Sequence, residues 1–385
     1  MSTVAAVANP FLSKVNAALR RGRPPTPETL NYTVWSGPGE EHLYAAVWFR
    51  TRGCRFDYRG QCTMCDYWVS TPTSADQMVQ SCREALATLT SVPATLVVSP
   101  SGSMFDEWEV PAEARRGIFA LVREFGCTHF VCETRPEVVD ELLLREYTQI
   151  LDNKVLSIEM GLESATPWVL RNCINKAMLM SEFTRAVQIA SAHDIKTLAN
   201  VQLGAAFLST EEAISDTVST VRWALAQGVS NCIVFPAHVK PWTLLHWLWQ
   251  HDLYSSPSLW SLVEVLQRLG PDTCRQVFIS WYRPQYGVRH DQHGKKSSQY
   301  PSTCLRCRDR VIGLLDRYRD YEDYAAVESL IGMECSCKEE WRATIEAAQE
   351  QPLDRRVASF YDILGNAILG SPRWQRERER VLQEL

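Results

Sequence analysis

The chain has 385 residues, of which 45% are hydrophobic and 22% charged. This composition excludes a wholly disordered chain, a collagen and a coiled coil, and the net charge of -5 argues against a strongly basic nucleic-acid-binding protein. The length allows two or three domains. The 13 cysteines are unusual, because a protein of this size needs no disulfides and an odd number cannot form a complete disulfide framework.

The amino-terminal segment, residues 1–43, is expected to form a short helix and a proline-rich loop. Its first 27 residues contain Lys14, Arg20, Arg21 and Arg23 but no acidic residue. This composition fits a transit peptide or the basic first helix of the folded protein, and we favour the helix because no cleavage signal follows. The sequence contains no apolar run of the roughly 18 residues that a membrane helix requires. We therefore expect no membrane partner, reduced cysteines and a cytoplasmic location.

Strands and helices alternate from residue 44 to residue 270. This alternation predicts an α/β fold, a parallel sheet with crossover helices closed into a partial (β/α)6 barrel, in which functional residues lie at the carboxyl ends of the strands. Strands are predicted at 44–52, 94–99, 128–132, 155–160, 196–203 and 231–235. The following helices are predicted at 74–90, 112–125, 137–151, 180–193, 210–227 and 242–269.

The pattern changes after the barrel, so residues 271–385 are expected to form a small carboxyl-terminal domain. One further strand is predicted at 276–281, followed by a locally basic stretch at 283–310 and a charged helical tail.

Three cysteines follow the first predicted barrel strand. Cys54, Cys62 and Cys65 form a C-x7-C-x2-C pattern, and thiolates select zinc, Cu(I) or iron–sulfur clusters. No fourth cysteine or histidine occurs before Cys82, which favours a 4Fe–4S cluster with one open iron. The alternative of three buried core cysteines is less favoured, because the segment is polar and contains glycine.

Such a cluster on the first loop of a (β/α) barrel resembles radical S-adenosylmethionine (SAM) enzymes. The stretch 52–65 is similar to the archaeosine synthase beta-subunit family of radical SAM proteins, relatives of the Elp-three-like group. Ordered motifs at 101–106, 133–137, 159–163 and 173–176 extend this resemblance to about residues 45–345. It implies an enzyme in which an electron donor such as flavodoxin or ferredoxin reduces the cluster. The cleaved SAM then gives a 5′-deoxyadenosyl radical that abstracts hydrogen from the substrate.

The resemblance also implies part of the SAM site. Met64 occupies the position before the third cysteine, where the superfamily places a hydrophobic residue against adenine. The Ser101, Gly102 and Ser103 turn, at the end of the second strand, offers carbonyls and hydroxyls to the SAM amino group. An ordinary turn between strand and helix is the alternative.

Charged residues at the next strand ends are further candidates. Arg135, oriented by Glu133, is suited to the SAM carboxylate or a substrate acid, with a salt bridge at the barrel rim as the alternative. Glu159 or Glu163 is expected to bind the ribose hydroxyls, and Gln202 is a weaker candidate for ribose or substrate. Radical chemistry does not require a conventional nucleophile or base, so the catalytic residues are left unknown.

Two other histidine and cysteine features remain. His238 near the barrel mouth is interpreted as structural rather than substrate-binding. A C-x2-C pair and a C-x-C pair favour one four-thiolate zinc site, with an auxiliary iron–sulfur cluster or unliganded thiols as alternatives. The members of this site are Cys304, Cys307, Cys335 and Cys337. The remaining cysteines are expected to be buried small hydrophobes, namely Cys82, Cys127, Cys132, Cys173, Cys232 and Cys274.

The substrate is the most open point. The family resemblance implies cleavage of a C–N bond of a lysine attached to a deazaguanine nucleoside of tRNA, after a partner transferase has added that lysine through its side-group nitrogen. The acidic net charge and the lack of a recognisable RNA-binding module keep a free-metabolite substrate as a rival. A non-catalytic zinc-binding interaction protein is the third hypothesis.

Overall fold

The computed structural model describes residues 8–24, 31–36, 44–67, 72–283, 299–346 and 351–385. An eight-stranded sheet runs through this part of the protein, with the strands side by side in sequence order. The strands are β1 (Tyr32–Ser36), β2 (Tyr44–Phe49), β3 (Thr95–Pro100), β4 (His129–Thr134), β5 (Val155–Glu163), β6 (Lys196–Leu203), β7 (Asn231–Pro236) and β8 (Val277–Ile279).

All strands from β2 to β8 pair in parallel. The prediction of a partial (β/α)6 barrel is confirmed, with β8 as the additional strand. The loop predicted before residue 44 is wrong at one place, because Tyr32–Ser36 forms β1, which pairs antiparallel with β2. Its tyrosine, threonine, valine and tryptophan have high strand propensity, and the outer edge of β2 supplies the hydrogen-bonding partner.

Helices cover the sheet, and several begin at residues that cap them. Ser74 and Ser209 each form a capping box with a glutamine or glutamate three residues later. The helices are α1 (Pro10–Leu19), α2 (Arg55–Tyr58), α3 (Ala75–Ala87), α4 (Ala112–Glu124), α5 (Glu141–Leu151), α6 (Pro167–Val169), α7 (Met180–Ala192), α8 (Thr210–Ala226), α9 (Leu244–Gln250), α10 (Leu259–Cys274), α11 (Arg308–Tyr321), α12 (Tyr324–Ile331), α13 (Ser336–Glu346), α14 (Leu353–Leu364) and α15 (Ser371–Gln383).

The helix predicted over 242–269 is two helices, α9 and α10, joined by a short connection. The apolar residues on both sides of this connection hid the break in the sequence pattern. α10 bends at Gly270, whose φ of 78° is outside the helical region, immediately before Pro271.

The first helix is an integral part of the core. Phe11, Leu12 and Val15 are buried, and the amide oxygen of Asn9 caps α1 by accepting hydrogen bonds from the backbone of Phe11 and Leu12. This packing agrees with the favoured interpretation of the basic segment as a helix of the folded protein. Most of the predicted basic stretch, residues 284–298, lies outside the described residues.

The described helices include none with the length and apolar character needed to cross a membrane. The predicted domain boundaries at residues 43 and 270 stay predictions.

Candidate active site and metal centre

The three amino-terminal cysteines lie on the segment that follows β2, here called the cysteine loop (residues 54–67). Cys54 begins α2, and Cys62 has a left-handed backbone with φ of 54°. Burial raises the pKa of Cys54 to about 12, and the neighbouring Glu109 and Cys65 raise it further against Arg135. Burial, and the charges of Cys65 and Cys54, also raise the pKa of Cys62. The three thiols therefore lie close enough to repel one another as thiolates, and a metal cluster supplies the positive charge that would stabilise them.

The cysteine loop is held by the motif at 173–176. Cys62 N donates to the Asn175 carbonyl at 3.1 Å, and Thr63 N donates to the Ile174 carbonyl at 2.9 Å. The Thr63 hydroxyl donates to the Cys173 carbonyl at 2.9 Å. Residues 173–176 thus position the loop through their backbone, and the Cys173 thiol itself is fully buried, as predicted for a packing cysteine.

Arg135 is held by carboxylates near the first cysteine. Its guanidinium pairs with Glu109 and Glu137 at 2.6 Å each, and with Asp106, while Nη1 lies 3.7 Å from Cys54 Sγ. Burial lowers the pKa of Arg135, but these negative charges outweigh it and raise the pKa overall. The geometry is that of the salt bridge at the barrel rim, the alternative considered from the sequence.

The expected orientation of Arg135 by Glu133 is wrong. Glu133 instead accepts a hydrogen bond from the Ser99 hydroxyl at 2.7 Å, because consecutive residues of β4 point to opposite faces of the sheet.

Glu109 is a site residue that the sequence did not identify. It is fully buried and accepts from the backbone N–H of Arg55 at 2.7 Å and from that of Ser103. Burial raises the pKa of its carboxyl, whereas Arg135 lowers it. Glu109 therefore ties the cysteine loop to the Ser101–Gly102–Ser103 turn. The acidic character of the stretch after that turn was the available signal.

Both serine hydroxyls of the turn are engaged within the protein. Ser101 Oγ accepts from the Thr51 backbone at 3.0 Å. Ser103 Oγ accepts from the Arg135 backbone at 2.9 Å and lies 2.9 Å from Thr134 Oγ1. For these hydroxyls the structure favours the alternative of a turn that joins strand ends. Recognition of an amino group by the turn stays a prediction.

Substitution of Gly102 by alanine is expected to disrupt this region. Gly102 has φ of +142°, and a Cβ atom there would lie 2.1 Å from Glu109 Oε2 and 3.4 Å from the Cys54 Cα. Displacement of a buried carboxylate and backbone strain are together expected to cost roughly 2–4 kcal/mol. Thermal unfolding measures the loss. Gly313→Ala is the control, since nothing lies within 4 Å of a Cβ atom at that position; an equal Tm for the two variants would contradict the prediction.

Polar side chains from β4, β5 and β6 form a second group. Asn200 donates to Glu159 at 2.7 Å, and Lys176 pairs with Glu163 at 3.0 Å. Within the described residues, Glu163 Oε2 and Gln202 Oε1 are buried without a hydrogen-bond partner. Buried oxygens left open in this way fit the hydroxyl groups of a bound ribose or substrate. Lys176 and Asn200 are residues that the sequence did not identify.

The ionisation of Glu159 gives a testable pH dependence. Burial and then the Glu133 carboxylate raise the pKa of Glu159 from 4.5 to about 8, although Asn200 opposes this shift. The folded protein therefore retains a proton that the unfolded polypeptide releases between pH 4.5 and 8, so stability falls across that interval and levels off above it. Glu159→Gln keeps the acceptor for Asn200 and removes this titration.

We expect the Tm of Glu159→Gln to exceed that of the wild type by a few degrees at pH 8–9, with the difference vanishing near pH 4.5. Glu113→Gln, at an exposed position, is the control. A difference that does not change with pH would contradict the shifted pKa.

Met64 and His238 complete the comparison with the predicted residues. Met64 is half-buried against the core. His238 Nε2 lies against the Trp281 carbonyl, and its ring contacts those of Trp281 and Tyr300. Burial and Lys240 lower the pKa of His238 to about 4, so the neutral ring donates through Nε2. These contacts support the structural interpretation of His238.

The carboxyl-terminal cysteines converge on one point, as predicted. The four sulfur atoms all lie within 4.8 Å of one another. Cys304 Sγ is 3.5 Å from Cys307 Sγ and 3.6 Å from Cys335 Sγ, and Cys337 Sγ is 3.5 Å from Cys307 Sγ and from Cys335 Sγ. The Arg306 guanidinium donates to Cys335 Sγ and lowers the pKa of that thiol to about 6. This arrangement can hold a metal ion.

The open parallel barrel, with a three-cysteine loop after its first parallel strand, is the arrangement of a radical SAM enzyme. No protein-family model matches the sequence. The protein is 28% identical over 331 residues to archaeosine synthase subunit beta of Methanosarcina acetivorans, covering 84% of this chain and 92% of that protein. It is also 28% identical over 305 residues to archaeosine synthase subunit beta of Thermococcus kodakarensis, covering 77% and 90%.

These homologues confirm the resemblance to the archaeosine synthase beta-subunit family and the prediction of a radical SAM enzyme. Among solved structures, methylornithine synthase is 11% identical with a TM-score of 0.43, covering 87% of this chain and 90% of that protein.

Proposed function

We propose that this enzyme cleaves a C–N bond of the lysine carried by a lysine-modified deazaguanine nucleoside in tRNA. The observation that carries the proposal is the similarity to archaeosine synthase subunit beta, which spans 92% of the relative from Methanosarcina acetivorans. Alignment over nearly a whole relative supports a shared substrate class better than a match confined to the barrel.

Cys54, Cys62 and Cys65 hold a 4Fe–4S cluster in this proposal. When bound, the cluster and SAM supply a 5′-deoxyadenosyl radical that abstracts hydrogen from the substrate. The raised thiol pKa values support cluster binding, because three buried thiols near carboxylates ionise only beside a strong positive charge.

The residues of the barrel interior bind and orient the ligands. Gln202 and Glu163 offer their open oxygens to ribose or substrate hydroxyls. Glu159, protonated at neutral pH, supplies a hydroxyl donor without a second negative charge beside Glu133. Met64 provides an apolar surface for adenine. These side chains exclude water from the reacting atoms.

A partner subunit and an electron donor belong to the same proposal. The relatives are named as beta subunits, which supports association with the transferase that attaches lysine. The net charge of -5 supports a division of labour in which the partner supplies much of the phosphate-binding surface. Flavodoxin or ferredoxin is the proposed class of electron donor, in the cytoplasm.

Zinc is the ion proposed for the four-thiolate site. A zinc–sulfur distance of 2.3 Å in a tetrahedron sets neighbouring sulfurs about 3.8 Å apart. The observed separations of 3.5 and 3.6 Å match a single ion. A 4Fe–4S cluster places each cysteine on a different iron and would spread the four sulfur atoms further apart.

The test uses the anaerobically reconstituted enzyme with SAM, dithionite and tRNA that carries the lysine adduct. We expect 5′-deoxyadenosine and loss of the lysine fragment from the tRNA, both measured by mass spectrometry. Binding to this tRNA should weaken with salt. Formation of 5′-deoxyadenosine without any change in the tRNA, while the free modified nucleoside or another metabolite is consumed, would favour the free-metabolite alternative.

A further inference from the structure

One face of α1 lies against the cysteine loop. Asn9, Ser13, Asn16 and Arg20 are spaced by four, three and four residues, so they share one side of the helix and its end. Asn16 Nδ2 donates to the Gly60 carbonyl at 2.9 Å. A Cβ atom at Gly60 would lie 2.4 Å from the Ser13 carbonyl oxygen. The helix and the loop are therefore in direct backbone contact.

Arg20 makes the most extensive contact between them. Its Nη1 donates to the Asp57 carbonyl at 2.8 Å, and its Nη2 donates to the carbonyls of Gln61 and Cys62 at 2.9 Å each. The Cys65 carbonyl lies 3.3 Å from the same Nη2. One guanidinium thus binds four carbonyls of the loop, two of them belonging to cysteines of the three-cysteine set.

The loop depends on such contacts because it has little regular structure of its own. Apart from the four-residue helix α2, its buried carbonyls have no sheet or helix partners, and unpaired buried carbonyls are costly. The Arg20 side chain is 8% exposed, and its charge is balanced by Asp57 at 3.4 Å, which Arg23 shares at 3.3 Å. The planar fork of an arginine reaches several acceptors at once, and a lysine cannot reproduce this geometry.

We propose that Arg20 is a positioning residue that fixes the cysteine loop before iron binds, and that its buried positive charge stabilises the reduced cluster. This inference rests on the proposed cluster at Cys54, Cys62 and Cys65. A cluster gains negative charge when reduced, so a nearby buried cation raises its potential. α1 is therefore part of the redox site, although Arg20 lies 34 residues before the first cysteine.

Hydrogen exchange of the iron-free protein tests the positioning role without reference to activity. In Arg20→Gln, we expect the amides of residues 56–66 to exchange about tenfold faster than in the wild type. Arg21→Gln is the matched control, because Arg21 is adjacent and exposed, and its loop should exchange at the wild-type rate. Thermal unfolding of each variant establishes that the fold is intact, and Arg20→Lys is the second variant if Arg20→Gln does not fold.

The midpoint potential of the reconstituted cluster, measured by redox titration with EPR detection, tests the charge. We expect a more negative potential in Arg20→Gln than in Arg20→Lys, with Arg21→Gln at the wild-type value. Unchanged exchange in folded Arg20→Gln, or in folded Arg20→Lys where the glutamine variant does not fold, would overturn the positioning role. Equal potentials in the two Arg20 variants would overturn the role of charge. A wild-type protein that binds no iron would contradict the proposed function, whereas the exchange experiment would still decide the positioning role.

Discussion

Replacement of Cys54, Cys62 or Cys65 by alanine is expected to reduce 5′-deoxyadenosine formation to the background level. A cluster with one open iron already has the smallest ligand set that leaves a position for SAM, so loss of one thiolate leaves two and the cluster is not retained. The effect should be equal at all three positions. Iron content, absorbance near 400 nm and mass spectrometry of the nucleoside product measure it.

The control for these variants is another buried cysteine. Cys127→Ala removes a thiol that precedes β4, at the end of the strand opposite Arg135, and this thiol is 2% exposed. It is expected to retain iron and product, apart from a modest loss of stability for the small cavity. Product from Cys54→Ala at the wild-type rate would place the cluster elsewhere in the protein.

The features predicted from the sequence depend on short stretches of residues. Alternating strands and helices, and cysteines separated by two to seven residues, are local patterns, and they gave the barrel and both cysteine groups. The strand β1 escaped prediction because its five residues gain stability only from pairing with β2. A short edge strand has too little pattern of its own.

The contacts that hold the site together join residues far apart in sequence. Arg20 reaches Cys62 across 42 residues, and Asn200 reaches Glu159 across 41. Arg135 illustrates the consequence: the sequence located a guanidinium at a strand end, but its carboxylate partner Glu109 lies 26 residues earlier. The identity of such partners depends on tertiary packing, which spacing along the sequence does not contain.

Removal of the four-thiolate site is expected to lower stability rather than to abolish the chemistry directly. The site joins three elements: Cys304 and Cys307 precede α11, Cys335 and Cys337 lie at the start of α13, and the indole N–H of Trp260 on α10 donates to Cys337 Sγ at 3.3 Å. We expect Cys307→Ser to lose the metal and to lower the Tm by on the order of 10 °C. Calorimetry and metal analysis measure both effects.

Metal stoichiometry then decides the identity of this site. The wild type is expected to bind about one zinc and four irons per protein molecule, and Cys307→Ser should lose the zinc while it keeps the irons. Cys274→Ala is the control, since its buried thiol donates to the Leu266 carbonyl and lies outside the four-thiolate group. About eight irons with no zinc would show a second cluster instead. The compact sulfur tetrahedron favours zinc because a single ion requires the four sulfurs to lie as close together as they do.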